Sequence, residues 1–246
     1  TVAQANSVAT ATTGTVQFSG GITDSTTNLM NGDSSAISTG LSTAKTDDSD
    51  VVITANTAVT VAQFNLLDAA TSSAIVLSGG ISDTAANLAP SGTASSGLTN
   101  STTQDGDVAI TITGTAPTVA ELNKIASLTT GAVTASISGN KTTLASLNTA
   151  STDAITATVT DAVTVAEFNT LDGKTSVGVI LTGGVSDAAA AYASTTGTAT
   201  SGRTAIAAQD GDAALTVTDA ATVAQANSVA TATTGTVQFS GGITDS

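Results

Sequence analysis

The sequence predicts an α/β solenoid of right-handed stacked coils, each a strand and a short helix, sharing a parallel sheet; a pure parallel β-solenoid is the alternative. Three observations predict it. Residues 1–25, TVAQANSVATATTGTVQFSGGITDS, return without a mismatch at 222–246, so the chain holds one 221-residue period and the start of the next. Within the period the hexad TVAxxN opens at Thr1, Thr60, Thr118 and Thr164, and again at Thr222, at intervals of 59, 58, 46 and 58 residues. Fixed internal periods of this size mark stacked-repeat architectures. Strand-like runs recur every 22 to 36 residues with no two-residue Asn-Gly or Asp-Gly link between them. Hairpins are thereby disfavoured, and parallel neighbours joined by crossovers are expected. Such crossovers are right-handed.

The hexads divide the chain into repeat subunits at 1–59, 60–117, 118–163 (short) and 164–221, with 222–246 beginning the next period. Each hexad reads as a helix start, because Thr at its first position and Gln or Glu three residues later form a capping box: Thr1/Gln4, Thr60/Gln63, Thr118/Glu121, Thr164/Glu167 and Thr222/Gln225. Val59 with Phe64 and Val163 with Phe168 stand at staple spacing around the cap. After about two turns the helix should stop, in the clearest copy at Gly173, where a left-handed residue is expected. Strands are expected before the capped helices at 51–54, 108–113, 154–159 and 213–217, and after them at 15–18, 74–77, 132–137 and 177–181. A weaker second helix of one or two turns is expected within 82–88, 186–193 and 141–147. The Gly/Ser/Thr/Ala-rich stretches 31–50, 91–107 and 194–212 read as surface excursions, since the short subunit lacks much of that chain while its strand pattern continues at Ala154.

Composition narrows the function classes. The chain has no Cys, Trp or His, one Tyr and four Phe, so its core must be thin and aliphatic and no disulfide can staple it. Net charge is −14, and the acids are Asp except for Glu121 and Glu167. Such a surface repels nucleic acid, so no nucleic-acid partner is expected. No apolar run reaches the length of a membrane span. Without imidazole or thiol, the usual bases, nucleophiles and transition-metal ligands are missing, and no Gly-rich phosphate loop leads into a helix with a Lys. An Asp pair could serve glycoside hydrolysis, but Asp105 and Asp107 recur as Asp210 and Asp212, whereas a catalytic pair would appear once. No enzymatic role is expected.

The chemistry-bearing motifs are acidic turns. Asp48 and Asp50, Asp105 and Asp107, and Asp210 and Asp212 put paired carboxylates on tight turns just before strands, oxygen-rich geometry that Ca²⁺ accepts. The alternative is that Asp and Gly simply make good turns there. Asp24, Asp83, Asp187, Asp161 and Asp219 follow strands and are expected to cap the next turn, with calcium as the alternative. Thr-x-Thr runs at 111–113, 156–158 and 216–218 could present an ice-binding face, although they are not in every coil and Thr also suits strands. The sequons at Asn100 and Asn140 could carry glycans.

In the motifs TVAEFNTLD (164–172), TVAQFNLLDAAT (60–71), ILTGGVSD (180–187) and VTDAATVAQAN (217–227), the chain resembles the repetitive regions of giant bacterial cell-surface and S-layer-like proteins, especially those of cyanobacteria. The resemblance is one of repeat style over the whole chain. It implies a secreted, calcium-dependent protein of a coat, filament or adhesin at the bacterial surface. The nonapeptide GGxGxDxUx of RTX calcium repeats is absent, so no ligand positions carry over. The expected role is a structural tandem-repeat protein forming an extracellular fibre, filament or surface layer. Its partner would be itself, as adjacent repeats or identical chains end to end. A calcium-dependent adhesin or ligand-binding array, with a cell-surface glycan as a partner, is the runner-up.

Overall fold

Helix starts in this chain are set by four-residue signals, and the computed structural model, which describes residues 1–244, places a helix at every hexad. Asp245 and Ser246, the last residues of the 222–246 segment, lie outside the described residues. The five helices are Val2–Thr10, Val61–Asp68, Val119–Ala126, Val165–Asp172 and Val223–Ala230, and each has a complete capping box. At Thr60 the Gln63 N–H donates to Thr60 Oγ1 at 3.1 Å, while the Thr60 N–H donates to Gln63 Oε1 at 2.8 Å. Two otherwise unpaired donors are satisfied reciprocally. Val59, Phe64, Val163 and Phe168 are all buried, as expected of staple residues.

The helix stop differs from expectation. Gly173 is right-handed, with φ −66° and ψ −6°, and Ala69 and Ser127 stand at the corresponding C-caps in the same conformation. Each of these three caps donates its N–H to the Asn of its own hexad, so the turn closes without a left-handed residue. The second helices are single turns, Thr26–Leu29, Ala85–Leu88, Lys141–Leu144 and Ala189–Tyr192, each burying its last residue, Leu in three and Tyr in the fourth.

The chain divides into two compact units, Thr1–Thr134 and Ala135–Ser246. In the first, strands Ile22–Asp24, Ile53–Ala55 and Ile75–Val76 pair in that order, all parallel, with Ile22, Ile53 and Ile75 in register. Ile81–Thr84 and Ile110–Thr113 pair likewise, and Ile110 faces Val133 at the start of the Val133–Gly139 strand. In the second unit Ala154–Val159 pairs with Val179–Leu181, and Leu215–Val217 lies between Val185–Asp187 and Val237–Phe239, with Val185, Leu215 and Val237 in register. These pairings are parallel; the antiparallel bridges Met30–Ile37 and Ala193–Ala199 are isolated ones inside loops. Stacking like aliphatics in register builds the thin core, and Ile22, Ile53, Ile75, Ile81, Ile110 and Leu215 are all essentially inaccessible.

Three features depart from the expected element list, the first being that residues 15–18 form no strand. The strands Ile22–Asp24, Ile81–Thr84 and Val185–Asp187 follow a Gly-Gly corner that sequence reading passed over. Gly80 and Gly184 have φ of +78° and +74°, and a Cβ on Gly79 or Gly183 would lie 2.2 or 2.1 Å from the backbone of the neighbouring bend at Thr57 or Asp161. Only glycine can turn there and approach so closely.

The stretches 31–50, 91–107 and 194–212 are more than surface excursions. Each carries a nine-residue helix, Thr39–Asp47, Ser96–Gln104 or Ser201–Gln209, which packs on the capped helix Val2–Thr10, Val61–Asp68 or Val165–Asp172. Leu41, Leu98 and Ile206 anchor them in the core. The contact point is a glycine: a Cβ at Gly97 would lie 2.2 Å from Val61 Cγ1, and one at Gly202 would lie 2.4 Å from Val165 Cγ1. Low helix propensity is overridden by this close seat.

Candidate cation site at the acidic turns

The three acidic turns share one geometry. Asp48, Asp105 and Asp210 each cap the C-terminus of an excursion helix, their N–H groups donating to Ala44, Ser101 and Ile206. The N–H three residues on, at Val51, Val108 or Ala213, returns to the carbonyl of that Asp and closes the turn. The turn holds Asp50, Asp107 and Asp212 exposed at its tip. The first carboxylate of each pair points inward to a strand: Asp48 Oδ2 accepts from Phe18 N–H at 2.6 Å, Asp105 Oδ2 from Leu77 N–H at 2.7 Å and Asp210 Oδ2 from Leu181 N–H at 2.5 Å. These side chains therefore take over the strand donors where ladder carbonyls end.

Electrostatics separates the turns. Burial pushes the Asp105 carboxyl above its ordinary value against the Leu77 hydrogen bond, and the Asp107 carboxylate beside it pushes the same way. Asp210 is raised for the same reasons, with Asp212 as its neighbour. A shallow groove of about 340 Å³ opens beside Asp105 and Asp107, lined by Leu77, Ser78 and the Gly79-Gly80 corner. Its counterpart beside Asp210 and Asp212, about 280 Å³, is lined by Leu181 and Thr182.

Ca²⁺ takes six to eight oxygens. Each pair offers four carboxylate oxygens, of which one already accepts a backbone N–H, and among the described residues no group of three or more acidic side chains comes together. This donor set fits a low-affinity, largely hydrated ion at one or two carboxylates. It does not fit a caged one.

The acids expected to cap the next turn do something further. Asp24, Asp83 and Asp187 accept from the N–H of the residue that follows, Ser25, Thr84 or Ala188. Their second oxygen reaches back 22 residues to the first N–H of a capped helix: Val2 to Asp24 at 2.9 Å, Val61 to Asp83 at 3.0 Å and Val165 to Asp187 at 3.0 Å. A carboxylate thus sits at the positive end of the neighbouring helix. For Asp24 burial raises the carboxyl, but hydrogen bonds from Asn28, Val2 and Ser25 outweigh it and hold the group below its usual value. Asp161 and Asp219 do the same for the one-turn helices, accepting from Lys141 N–H and Ala189 N–H, both at 2.6 Å.

Sequence reading missed these long-range caps, although the constant spacing of 22 residues between hexad Val and Asp carried the signal. It also missed Gln104, whose Oε1 accepts from Ile75 N–H at 2.7 Å while its amide donates to Asp68. No helix of the described residues is long and apolar enough to cross a membrane. Compared with protein-family models, curated proteins and solved structures, the chain matches none.

Proposed function

We propose that this chain is the repeating unit of a structural protein, a right-handed solenoid forming an extracellular fibre, filament or surface layer at a bacterial cell surface. The observation that carries the reading is the exact return of residues 1–25 at 222–246, joined to interlocks that recur from one strand segment to the next. Thr71 Oγ1 donates to Val51 carbonyl, Thr129 to Val108 carbonyl and Thr233 to Ala213 carbonyl, at 2.7, 2.6 and 2.7 Å. A unit held to its neighbours by repeated local bonds can be extended without limit, which suits a mechanical role. The acidic pairs recur with the repeat as well, which favours a structural part over a catalytic one. The resemblance in repeat style to surface-layer proteins points to the same location.

Chains of one, two and three periods, viewed by negative-stain electron microscopy, test this. Eight stacked strands at about 4.8 Å give roughly 38 Å of added length per period. Round particles that grow equally in all directions would refute the reading. A calcium-dependent adhesin is the second reading, favoured by the paired grooves beside Asp105/Asp107 and Asp210/Asp212, each open to solvent and each beside two carboxylates.

A further inference from the structure

The chain carries two Asn-x-Ser/Thr sequons, and the structure separates them. Asn100-Ser101-Thr102 lies in the middle of the helix Ser96–Gln104. Asn100 itself is exposed, but Ser101 is fully inaccessible and Thr102 nearly so, and Thr102 Oγ1 donates to the Leu98 carbonyl at 2.9 Å. The hydroxyl two residues after the Asn is thereby taken up inside the helix. Asn140-Lys141-Thr142 is arranged the other way. Asn140 is the exposed N-cap of the single turn Lys141–Leu144, with extended backbone at φ −75° and ψ 162°. Its Oδ1 accepts from Thr143 N–H at 2.8 Å, which fixes the orientation of the amide, and among the described residues nothing accepts from its Nδ2. Thr142 is exposed as well. Lys141 between them is held by neighbouring segments: its N–H donates to Asp161 Oδ1 at 2.6 Å and its ammonium pairs with Glu167 at 3.2 Å. Beside Lys141 and Thr142 opens a groove of about 300 Å³, walled by Ala145, Thr170 and Leu171, with room for a sugar ring.

We propose that Asn140 is an N-glycan acceptor and that Asn100 is not, which puts one glycan on each 221-residue period. The inference rests on the extracellular reading, since N-glycans are added to chains on a secretory route. The donor is an oligosaccharide carried as a lipid diphosphate ester. Asn140 Nδ2 forms the bond to the anomeric carbon of the first sugar, and the carbon–oxygen bond to the diphosphate breaks. The lipid diphosphate leaves with the electron pair, and one amide proton passes to a base of the transferring enzyme. That enzyme must grip the amide and the hydroxyl two residues on at the same time. Asn140 and Thr142 offer both to solvent from one turn, whereas Thr102 offers its hydroxyl only if the helix Ser96–Gln104 unwinds. That helix is seated by Gly97 against Val61 and by the buried Leu98, so unwinding it breaks core contacts. The sequence alone treats the two sequons alike; the folded chain does not.

The test uses an oligosaccharyltransferase, with a lipid-linked oligosaccharide as donor, that glycosylates short peptides of residues 96–106 and 136–146 alike. The folded chain, offered to the same enzyme, should gain a single glycan, which peptide mapping by mass spectrometry places on Asn140. Asn140→Asp keeps the N-cap oxygen and removes the amide nitrogen, so it should stay folded by circular dichroism and take no glycan. Thr142→Ala should lose the glycan too, while Thr142→Ser should retain it and Asn100→Gln should change nothing. A folded chain that stays unmodified while the 136–146 peptide is accepted would overturn the inference. A glycan on Asn100 of the folded chain, at the rate seen in the 96–106 peptide, would do so as well. Neither result touches the fibre reading, whose test is the length of multi-period chains. Round multi-period particles would in turn sink that reading and leave this acceptor assay standing.

Discussion

At the scale of single residues, aspartate does two opposite things in this chain. Asp83 is buried and accepts from Val61 N–H, Thr84 N–H and the Asn87 amide, so it is satisfied on both oxygens. Replacing it by Ala leaves the first donor of a helix unpaired, and thermal or urea unfolding should report a loss of about 1–3 kcal/mol. Asp105 and Asp210 are the reverse case, raised first by burial and then by Asp107 and Asp212. A carboxyl whose folded value lies above its unfolded one opposes folding when ionised, and that cost disappears as pH falls through the folded value. Removing the neighbouring charges with Asp107→Asn and Asp212→Asn should therefore raise Tm at neutral pH, by about 1–3 °C for exposed like charges. The gain should shrink as pH falls through the raised folded values of Asp105 and Asp210 and vanish once their unfolded carboxyls, at about 3.9 in model peptides, are protonated as well. Asp24, Glu121 and Glu167 run the other way: for Asp24 the hydrogen bonds outweigh burial, while for the two Glu residues the hydrogen bond from the N-cap Thr is the largest influence, and all three are held low. Their contribution is present above the ordinary carboxylate value and is lost on acidification, so the wild-type chain should still weaken in acid. Millimolar Ca²⁺ at constant ionic strength should raise the wild-type Tm and chelator lower it, with the effect reduced by Asp105→Asn and Asp107→Asn together. A melting curve indifferent to calcium would leave the turns as solvated turns.

At the scale of elements, what was legible in the sequence is what neighbours in the sequence decide. Capping boxes are complete within four residues, and all five appear where the hexads put them. The strand at 154–159 matches its expected limits for a similar reason, alternating buried and half-buried side chains along six residues. What escaped depends on partners 20 to 37 residues away, such as the carboxylate of Asp161 on Lys141 N–H and the Gln209 amide on Asp172. The excursion helices escaped because Gly, Ser and Thr read locally as loop, and their reason for being helical is a neighbour's surface. Gly97 and Gly202 make the point: each lies against the hexad Val and Asn of a capped helix. Gly97→Ala improves local propensity but brings a methyl to 2.2 Å from Val61 Cγ1. Overpacking should win over the propensity gain of at most about 1 kcal/mol, for a net loss of about 1–2 kcal/mol by chemical denaturation. Val61→Ala in the same chain should recover part of that loss, an interaction that a double-mutant cycle isolates.

At the scale of the whole molecule, the energetics should follow from how local the bonds are. Among the described residues, the side-chain hydrogen bonds that join segments run from 20 residues, Thr71 to Val51, to 37 residues, Gln209 to Asp172. A chain built this way has stability set by the intrinsic cost of each repeat and the favourable contact with the next, so cooperativity runs along the array from neighbour to neighbour. In an array of such periods, interior copies would have both faces covered and each end copy would keep one face open. Adding periods raises the ratio of covered to open faces. The Tm should therefore climb from one period to two and from two to three by decreasing steps, and level off once the ends are a small share of the molecule. Hydrogen exchange on a three-period chain should find the middle copy of the Ile53–Ala55 and Ile110–Thr113 strands protected more strongly than the same strands in the outer copies. Periods that folded as separate globules would give one Tm whatever their number and equal protection in every copy.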